Sequence, residues 1–187
     1  MDEAIKKELK WYAGYMGKRY FRHFIGLLAR PEMFKEFVDK KVDKSRTTLV
    51  YCTDGDKLNK FIAFFLSLKH RNHLTESMYD FASSISNRDE DYFEKELTIL
   101  YNHKHENLLG NTENWMIGTV LNKVATRNRD EKITLVATER PLKQLEESGE
   151  FQCVSLESSY KMSSSTNIST VVKINASADD KSGNPDR

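Results

Sequence analysis

The chain has 187 residues, of which 39% are hydrophobic and 11% aromatic, which is enough apolar material for a domain with a buried core and excludes a wholly disordered chain. Its 29 basic and 28 acidic side chains nearly cancel to +1, so the overall charge favours neither a nucleic acid nor an acidic partner. The sequence contains no apolar run of about 18 residues and only two cysteines, so we expect no membrane span, no disulfide framework and a cytoplasmic location.

Residues 1–46 are predicted to form a helical N-terminal extension. Apolar side chains recur at intervals of three and four residues over residues 1–28, which predicts a helix there. Pro31 ends this helix and suits the first turn of a second one that reaches about residue 41. The extension carries twelve basic and seven acidic side chains, so it is more basic than the rest of the chain.

Strands and helices are predicted to alternate through residues 47–157, which form the core domain. The predicted strands cover residues 47–53, 77–85, 97–102, 132–138 and 151–157, and the predicted helices cover residues 56–70, 87–96, 113–129 and 141–147. Thr112 or Asn114 is a candidate N-cap for the third of these helices. The alternation is typical of an α/β fold in which helices cover both faces of a mostly parallel five-stranded sheet.

The composition changes after the last predicted strand, where serine and threonine become frequent. Residues 158–187 are therefore assigned to a Ser-rich segment outside the core domain. Residues 168–176 could still add an edge strand to the sheet, and the residues that follow them are predicted to form a solvated tail.

The first predicted strand of the core ends in a turn with the layout of a phosphate-binding loop. In residues 52–60, CTDGDKLNK, a glycine turn leads to a lysine at the start of a helix, where backbone N–H groups and the lysine can bind phosphate. The complete motif is G-x-x-x-x-G-K-[ST]. With Lys57 as its lysine, Asp56 replaces the second glycine and Leu58 the hydroxyl residue, so only the lysine remains. A tight turn followed by a capped helix is the alternative interpretation.

The ends of the third and fourth predicted strands carry the other candidate residues, because ligands of parallel sheets bind beyond the carboxyl ends of strands. Asn102 and His103 stand where an ATPase needs carboxylates for magnesium, and neither supplies a negative charge. Thr138, Glu139 or Arg140 could contact the γ-phosphate of a nucleotide.

Metal binding and nucleophilic catalysis have little support in the sequence. His103 and His105 could bind a transition metal, but a pair with this spacing is a weak signal, and we expect no metal site. Cys52 and Cys153 fall within or at the end of predicted strands, which suits unreactive buried thiols. We therefore assign no catalytic residue.

Taken together, these segments are similar to the AAA+ ATPase family, above all to the bacterial replicative-helicase loaders and the related transposon-encoded ATP-binding proteins. Residues 113–147, ENWMIGTVLNKVATRNRDEKITLVATERPLKQLEE, resemble the loader segment in which a tryptophan-bearing helix leads to the sensor strand. Residues 47–68 lie where the phosphate loop and its helix would be, and residues 17–24, GKRYFRHF, resemble the basic and aromatic segment before the ATPase core. The similarity covers residues 17–150 in order, with no motif intact.

The resemblance implies a P-loop-like core with a degenerate nucleotide site. Its residues would be Gly55, Asp56, Lys57, Asn102, His103, Thr138 and Arg140. Both Walker motifs are degraded, because the glycine loop, the hydroxyl residue and the acidic strand end are missing. Magnesium-dependent hydrolysis is therefore not expected, and no cofactor is expected, although ATP or ADP could bind.

These departures lead to the hypothesis of a catalytically degraded AAA+-like binding protein. Such a protein would act as an adaptor or regulator of a helicase or its loader in DNA replication, or in mobile-element biology. Two alternatives stay open: a divergent active ATPase that uses Lys57 on phosphate and Arg140 as its sensor, and an α/β interaction module unrelated to ATPases. In AAA+ cores the sensor strand lies between the phosphate-loop strand and the carboxylate strand, so the strand order distinguishes these alternatives.

The N-terminal extension also carries a candidate site for single-stranded DNA. Lys18, Arg19 and Arg22 alternate with tyrosine and phenylalanine, and such segments can bind single strands through phosphate contacts and base stacking. The alternative is that the aromatic side chains lie in the core and the cations cover a solvated face.

Overall fold

The structure is a computed structural model that describes residues 3–68, 72–86, 95–102, 110–158, 160 and 162. Its strands are β1 (Thr48–Tyr51), β2 (His73–Ser77), β3 (Leu97–Asn102), β4 (Ile133–Thr138) and β5 (Gln152–Ser155). Its helices are α1 (Glu3–Leu28), α2 (Pro31–Asp39), α3 (Gly55–Ser67), α4 (Met78–Ser86), α5 (Asn111–Arg129) and α6 (Lys143–Glu146).

The five strands form one sheet in the order β2-β3-β4-β1-β5, and every neighbouring pair is parallel. The predicted α/β fold with a five-stranded parallel sheet is therefore confirmed. β4 lies between β1 and β3, so β3, β4 and β1 are central strands. Every residue of β1 is buried, as expected for a parallel strand that is covered on both faces.

Helices cover both faces of the sheet, as predicted. On one face α1, α2 and α3 share a core that includes Phe61 and Phe65 of α3 and Val50 of β1. On the other face α4, α5 and α6 share a core that includes Met116 of α5 and Leu49 of β1. Leu49 and Val50 belong to different cores because successive side chains of a strand point to opposite faces.

The N-terminal extension packs into the first of these cores. Tyr20 and Phe24 of α1 and Phe37 of α2 are buried in the cluster that surrounds α3. Pro31 begins α2 as predicted, because a residue at that position needs no N–H for the helix. α1 is kinked at Gly17, whose φ of 72° and ψ of 162° are not helical.

The strand predicted over residues 77–85 is wrong, because most of those residues belong to helix α4. The Asp80 backbone N–H donates a hydrogen bond to Ser77 Oγ at 3.0 Å, and the Ser77 hydroxyl donates one to Asp80 Oδ2 at 2.7 Å. Ser77 thus caps α4. Met78 and Phe81, three residues apart, are buried on its inner side. The second strand of the sheet is instead β2, which precedes α4.

Further differences concern the ends of elements and the residues that the structure does not describe. β1 and β5 are shorter than the strands predicted over residues 47–53 and 151–157. Neither Thr112 nor Asn114 caps α5, because Gly110, with a φ of 63°, is its N-cap and no side chain bonds to the helix start. Most of the helix predicted over residues 87–96 and the whole of the edge strand predicted over residues 168–176 lie outside the described residues.

Candidate functional site

The candidate site lies at the carboxyl edge of the sheet, where β1, β4 and β3 end side by side. Tyr51 of β1 is paired with Thr138 of β4, which is paired with Asn102 of β3. The turn at Gly55 follows β1 at the same edge. The sheet therefore brings the residues of the predicted nucleotide site to one edge, except for His103, which lies outside the described residues.

The N-terminus of α3 is capped by a carboxylate of the protein itself. Asp54 Oδ1 accepts hydrogen bonds from the backbone N–H groups of Asp56 at 2.9 Å and Lys57 at 3.2 Å. In a phosphate-binding loop, N–H groups at this position bind phosphate oxygens. An aspartate is a strong N-cap and interacts favourably with the positive end of the helix dipole. The local geometry is therefore that of a tight turn and a capped helix.

Two further carboxylates surround the start of α3. A Cβ atom on Gly55 would lie 2.7 Å from Glu139 Oε1, so Glu139 packs directly against the glycine. Asp56 accepts a hydrogen bond from Lys60, and its Oδ1 lies 3.5 Å from His23 Nδ1. The hydrogen bond from Lys60 lowers the pKa of Asp56, which keeps this carboxylate ionised. With the capping carboxylate, three acidic groups lie where a phosphate would need positive charge.

Lys57, the one residue retained from the phosphate-loop motif, contacts groups of the protein itself. Its Nζ donates to Glu36 Oε1 at 2.8 Å and to the backbone carbonyl of Leu156 at 3.1 Å. The Lys57 side chain is 20% exposed, so the ion pair is partly shielded from water. The lysine therefore joins α3 to α2 and to the residue that follows β5.

Glu157, beyond the end of β5, is a residue of this edge that the sequence did not reveal. Its Oε1 accepts hydrogen bonds from the backbone N–H of Thr53 at 2.7 Å and from the Thr53 hydroxyl, and these bonds lower the pKa of Glu157. Burial raises the pKa of the neighbouring Cys52 thiol to about 11, so this thiol is unreactive at neutral pH. No local pattern indicates the contact, because Thr53 and Glu157 are 104 residues apart.

The buried polar side chains at the ends of β3 and β4 differ in whether the described residues supply their hydrogen-bond partners. Asn102 is fully buried, and neither its Oδ1 nor its Nδ2 has a hydrogen-bond partner among the residues that the structure describes. Thr138 is equally buried, but its hydroxyl accepts from the Arg140 N–H at 3.2 Å and donates to the Arg140 carbonyl at 2.7 Å. Arg140 Nη2 lies 2.9 Å from Glu113 Oε1 of α5. Unused hydrogen-bonding capacity therefore lies on the β3 side of the edge.

The three cations predicted to bind nucleic acid are exposed on α1, but a ring between them is buried. Tyr20 is only 4% exposed and cannot stack on a base. Arg19 lies over the rings of Tyr20 and Tyr101, at 5.3 Å and 5.5 Å from their centroids. Lys18 and Arg22 are exposed. This part of α1 therefore presents charge to solvent while Tyr20 belongs to the core.

Neither a metal centre nor a membrane-spanning helix is found in the part of the chain that the structure describes. His103 and His105, the candidate metal ligands of the sequence, lie outside that part. No protein-family model matches this chain, and searches of curated proteins and of solved structures found no match.

Proposed function

We propose that this chain is a P-loop-like binding protein that does not turn over ATP. The observation that carries the proposal is the Asp54 cap, which occupies the N–H groups that a phosphate would need. Glu139 and Asp56, the latter paired with Lys60, lie beside the cap, and Lys57 is paired with Glu36. A phosphate would have to displace one carboxylate and lie close to two others, which is electrostatically unfavourable.

The strand order supports the resemblance to AAA+ ATPases on which the biological part of the proposal rests. β4, the counterpart of the sensor strand, lies between β1 and β3, as the resemblance implies. On this basis the protein acts as an adaptor or regulator of a helicase or its loader in DNA replication, or in mobile-element biology. An interaction module unrelated to ATPases would share the binding role but not this class of partner.

Two exposed aromatic side chains at the carboxyl edge suit a protein partner. Tyr79 and Trp115 are each 40% exposed, and their ring centroids lie 6.3 Å apart with the planes at 70°. Tyr79 is in the first turn of α4, which follows β2, and Trp115 is near the start of α5. Because large aromatic residues often contribute most of the binding energy of an interface, we assign the partner contact to this pair.

A second candidate function, nucleotide binding by a divergent site, is favoured by Asn102. A buried amide without partners destabilises the fold unless a ligand or an ordered water satisfies it. ATP or ADP would then contact the ends of β3 and β4, with Arg140 nearby, and would not use the capped start of α3.

Isothermal titration calorimetry with ATP and ADP, with and without magnesium, distinguishes these candidates. We expect no binding heat at millimolar nucleotide for the native chain, and the same result for Lys57→Ala. Binding that is abolished in Asn102→Leu but kept in Lys57→Ala would favour the second candidate. Magnesium-dependent ATP turnover that Lys57→Ala abolishes would contradict the proposal.

The partner contact is tested by surface plasmon resonance against a purified replicative helicase and against its loader. Replacing Tyr79 and Trp115 together by alanine should weaken the affinity about tenfold or more, because such aromatic residues are typical hot spots. Trp11→Ala is the matched control, because Trp11 is also exposed but lies on α1. Unchanged affinity in the double variant would exclude this surface, and no binding to either protein would contradict the replication role.

A further inference from the structure

The first half of α1 carries an aromatic platform that is open to solvent. Trp11 is 52% exposed and stacks on Tyr15, with the ring centroids 5.0 Å apart and the planes at 11°. Tyr15 in turn makes an edge contact with His73 of β2, and their ring centroids lie 4.8 Å apart. The stack is thus supported from the sheet, while the indole of Trp11 remains available to solvent.

Positive charge lies beside this platform. Lys7 precedes Trp11 by four residues and Lys10 follows Lys7 by three, so Lys7 is a neighbour of both Trp11 and Lys10 on the helix surface; both lysines are exposed. Glu8 lies three residues before Trp11 and places an exposed acidic side chain beside it. Lys18 adds a further exposed cation just beyond the kink at Gly17.

We propose that Trp11, Lys7 and Lys10 form a binding site for single-stranded nucleic acid. An unpaired base stacks on the exposed indole, and the lysines bind the flanking phosphates. The site lies on the part of α1 that precedes the kink, whereas the sequence pattern pointed to the segment beyond it, where Tyr20 is buried and Arg19 is held by two rings. The proposal does not depend on whether the carboxyl edge of the sheet binds a nucleotide or a protein.

The exposed side chains of this half-helix fit a nucleic acid better than a membrane surface. Between residues 3 and 16 only Ile5 and Trp11 are exposed large hydrophobic residues. An interfacial helix needs a continuous apolar face to insert among lipids. Met16, on the other hand, is buried against the core and is therefore not available for insertion.

The proposal is tested by fluorescence anisotropy with a labelled oligothymidylate of about 16 nucleotides, the upper range of common site sizes. Trp11→Ala should weaken binding about fivefold or more, because base stacking on an aromatic side chain contributes substantially to such complexes. Trp11→Phe should retain most of the affinity, and Trp115→Ala, which removes the other tryptophan, should leave it unchanged. In a Trp115→Phe background the oligonucleotide should also quench the fluorescence of Trp11.

The charges are tested separately. Replacing Lys7 and Lys10 by glutamine should reduce the slope of log affinity against log salt by about 0.7 for each phosphate that is no longer neutralised. Glu8→Gln should tighten binding, because it removes the acidic group beside Trp11. Thermal unfolding of each variant checks that the fold is intact, and the Trp11→Phe result keeps the test valid if Trp11→Ala unfolds.

Three results would overturn the proposal. Equal affinity of Trp11→Ala and Trp115→Ala would exclude stacking on Trp11. Equal affinity for a duplex of the same length would exclude an unpaired base as the ligand. Partition into anionic phosphatidylserine vesicles without binding of the oligonucleotide would assign the patch to a lipid surface instead.

Discussion

Two fully buried polar side chains lie at opposite ends of the sheet, and they differ in how their hydrogen bonds are satisfied. Arg127 of α5 lies at the amino end, where its Nε donates to Thr134 Oγ1 at 3.0 Å. Its Nη2 donates to the carbonyls of Ile133 at 2.9 Å and Lys95 at 3.0 Å. At the carboxyl end, neither amide atom of Asn102 has a partner within the described ranges.

The two ends of the sheet therefore differ in how completely the described residues satisfy a buried polar side chain. Burial lowers the pKa of Arg127 to about 10, so its guanidinium is still charged at neutral pH and holds α5 against the starts of β3 and β4. Leaving a buried amide unpaired costs about 1–3 kcal/mol, and native proteins rarely do so. The packing of the residues that the structure describes therefore does not explain why Asn102 is buried at this position.

The largest expected change in stability comes from removing the guanidinium group of Arg127, whose hydrogen bonds are satisfied. Arg127→Met should lower the free energy of unfolding by roughly 3 kcal/mol, because charged hydrogen bonds are removed and carbonyl groups remain buried. Urea denaturation measures the change. Arg129→Met, an exposed arginine two residues further along α5, is the control and should change stability by less than about 0.5 kcal/mol. Equal effects of the two substitutions would contradict the structural role of Arg127.

Substitution of Asn102 should change the free energy of unfolding in the opposite direction. Asn102→Leu replaces the amide by an apolar group of similar size and should stabilise the fold by about 1–2 kcal/mol in the absence of ligand. Thr138→Val is the matched control at the neighbouring strand end, and it should destabilise because its hydroxyl bonds to the Arg140 backbone. A loss of stability in Asn102→Leu would show that the amide serves the fold, and the contrast between the two ends of the sheet would disappear.

The central strands could be predicted from the sequence because each is marked by a short run of mostly apolar residues. Residues 97–102 form a strand with the predicted bounds, and residues 133–138 differ from the prediction by one residue. These runs are buried on both faces, so their apolar composition alone identifies them. The polar strand β2 was missed, since an edge strand of His73–Ser77 has no such run and depends on pairing with β3.

The error at α4 has an equally specific cause. The predicted strand contains Tyr79 and Phe81, aromatic residues that are frequent in strands, but Ser77 and Asp80 also form a helix N-cap signature, and in the structure that signature begins a helix. The candidate site was predictable in position, because strand ends of a parallel sheet converge. Its contacts were not, because Glu36 and Glu157 reach Lys57 and Thr53 from distant parts of the chain.

A smaller change in stability is expected when the N-cap of α3 is removed. This helix start lies at the carboxyl edge of the sheet, and its backbone N–H groups are satisfied by Asp54. Asp54→Ala should lower stability by about 1 kcal/mol, because two backbone N–H groups lose their acceptor. Asp54→Ser should retain most of the cap and remove the charge. If the carboxylate is what excludes phosphate, pyrophosphate should stabilise the serine variant in thermal unfolding more than the native chain. An identical response of both proteins would show that the remaining carboxylates are sufficient.

The smallest expected effect is a dependence of stability on pH at the amino end of β2. Burial lowers the pKa of His73 below its ordinary value of 6.5, so the unfolded chain binds this proton at a higher pH than the folded chain does. The free energy of unfolding should therefore fall as the pH drops below 6.5 towards the folded-state pKa. His73→Phe should flatten this dependence in urea denaturation between about pH 7.5 and about pH 5. Burial also lowers the pKa of His23, although Asp56 opposes that shift, so a shallower slope of the same sign should persist in the variant. If the slope of the free energy of unfolding against pH is unchanged in His73→Phe, the pH dependence comes from His23 and other groups, and burial of His73 does not contribute to it.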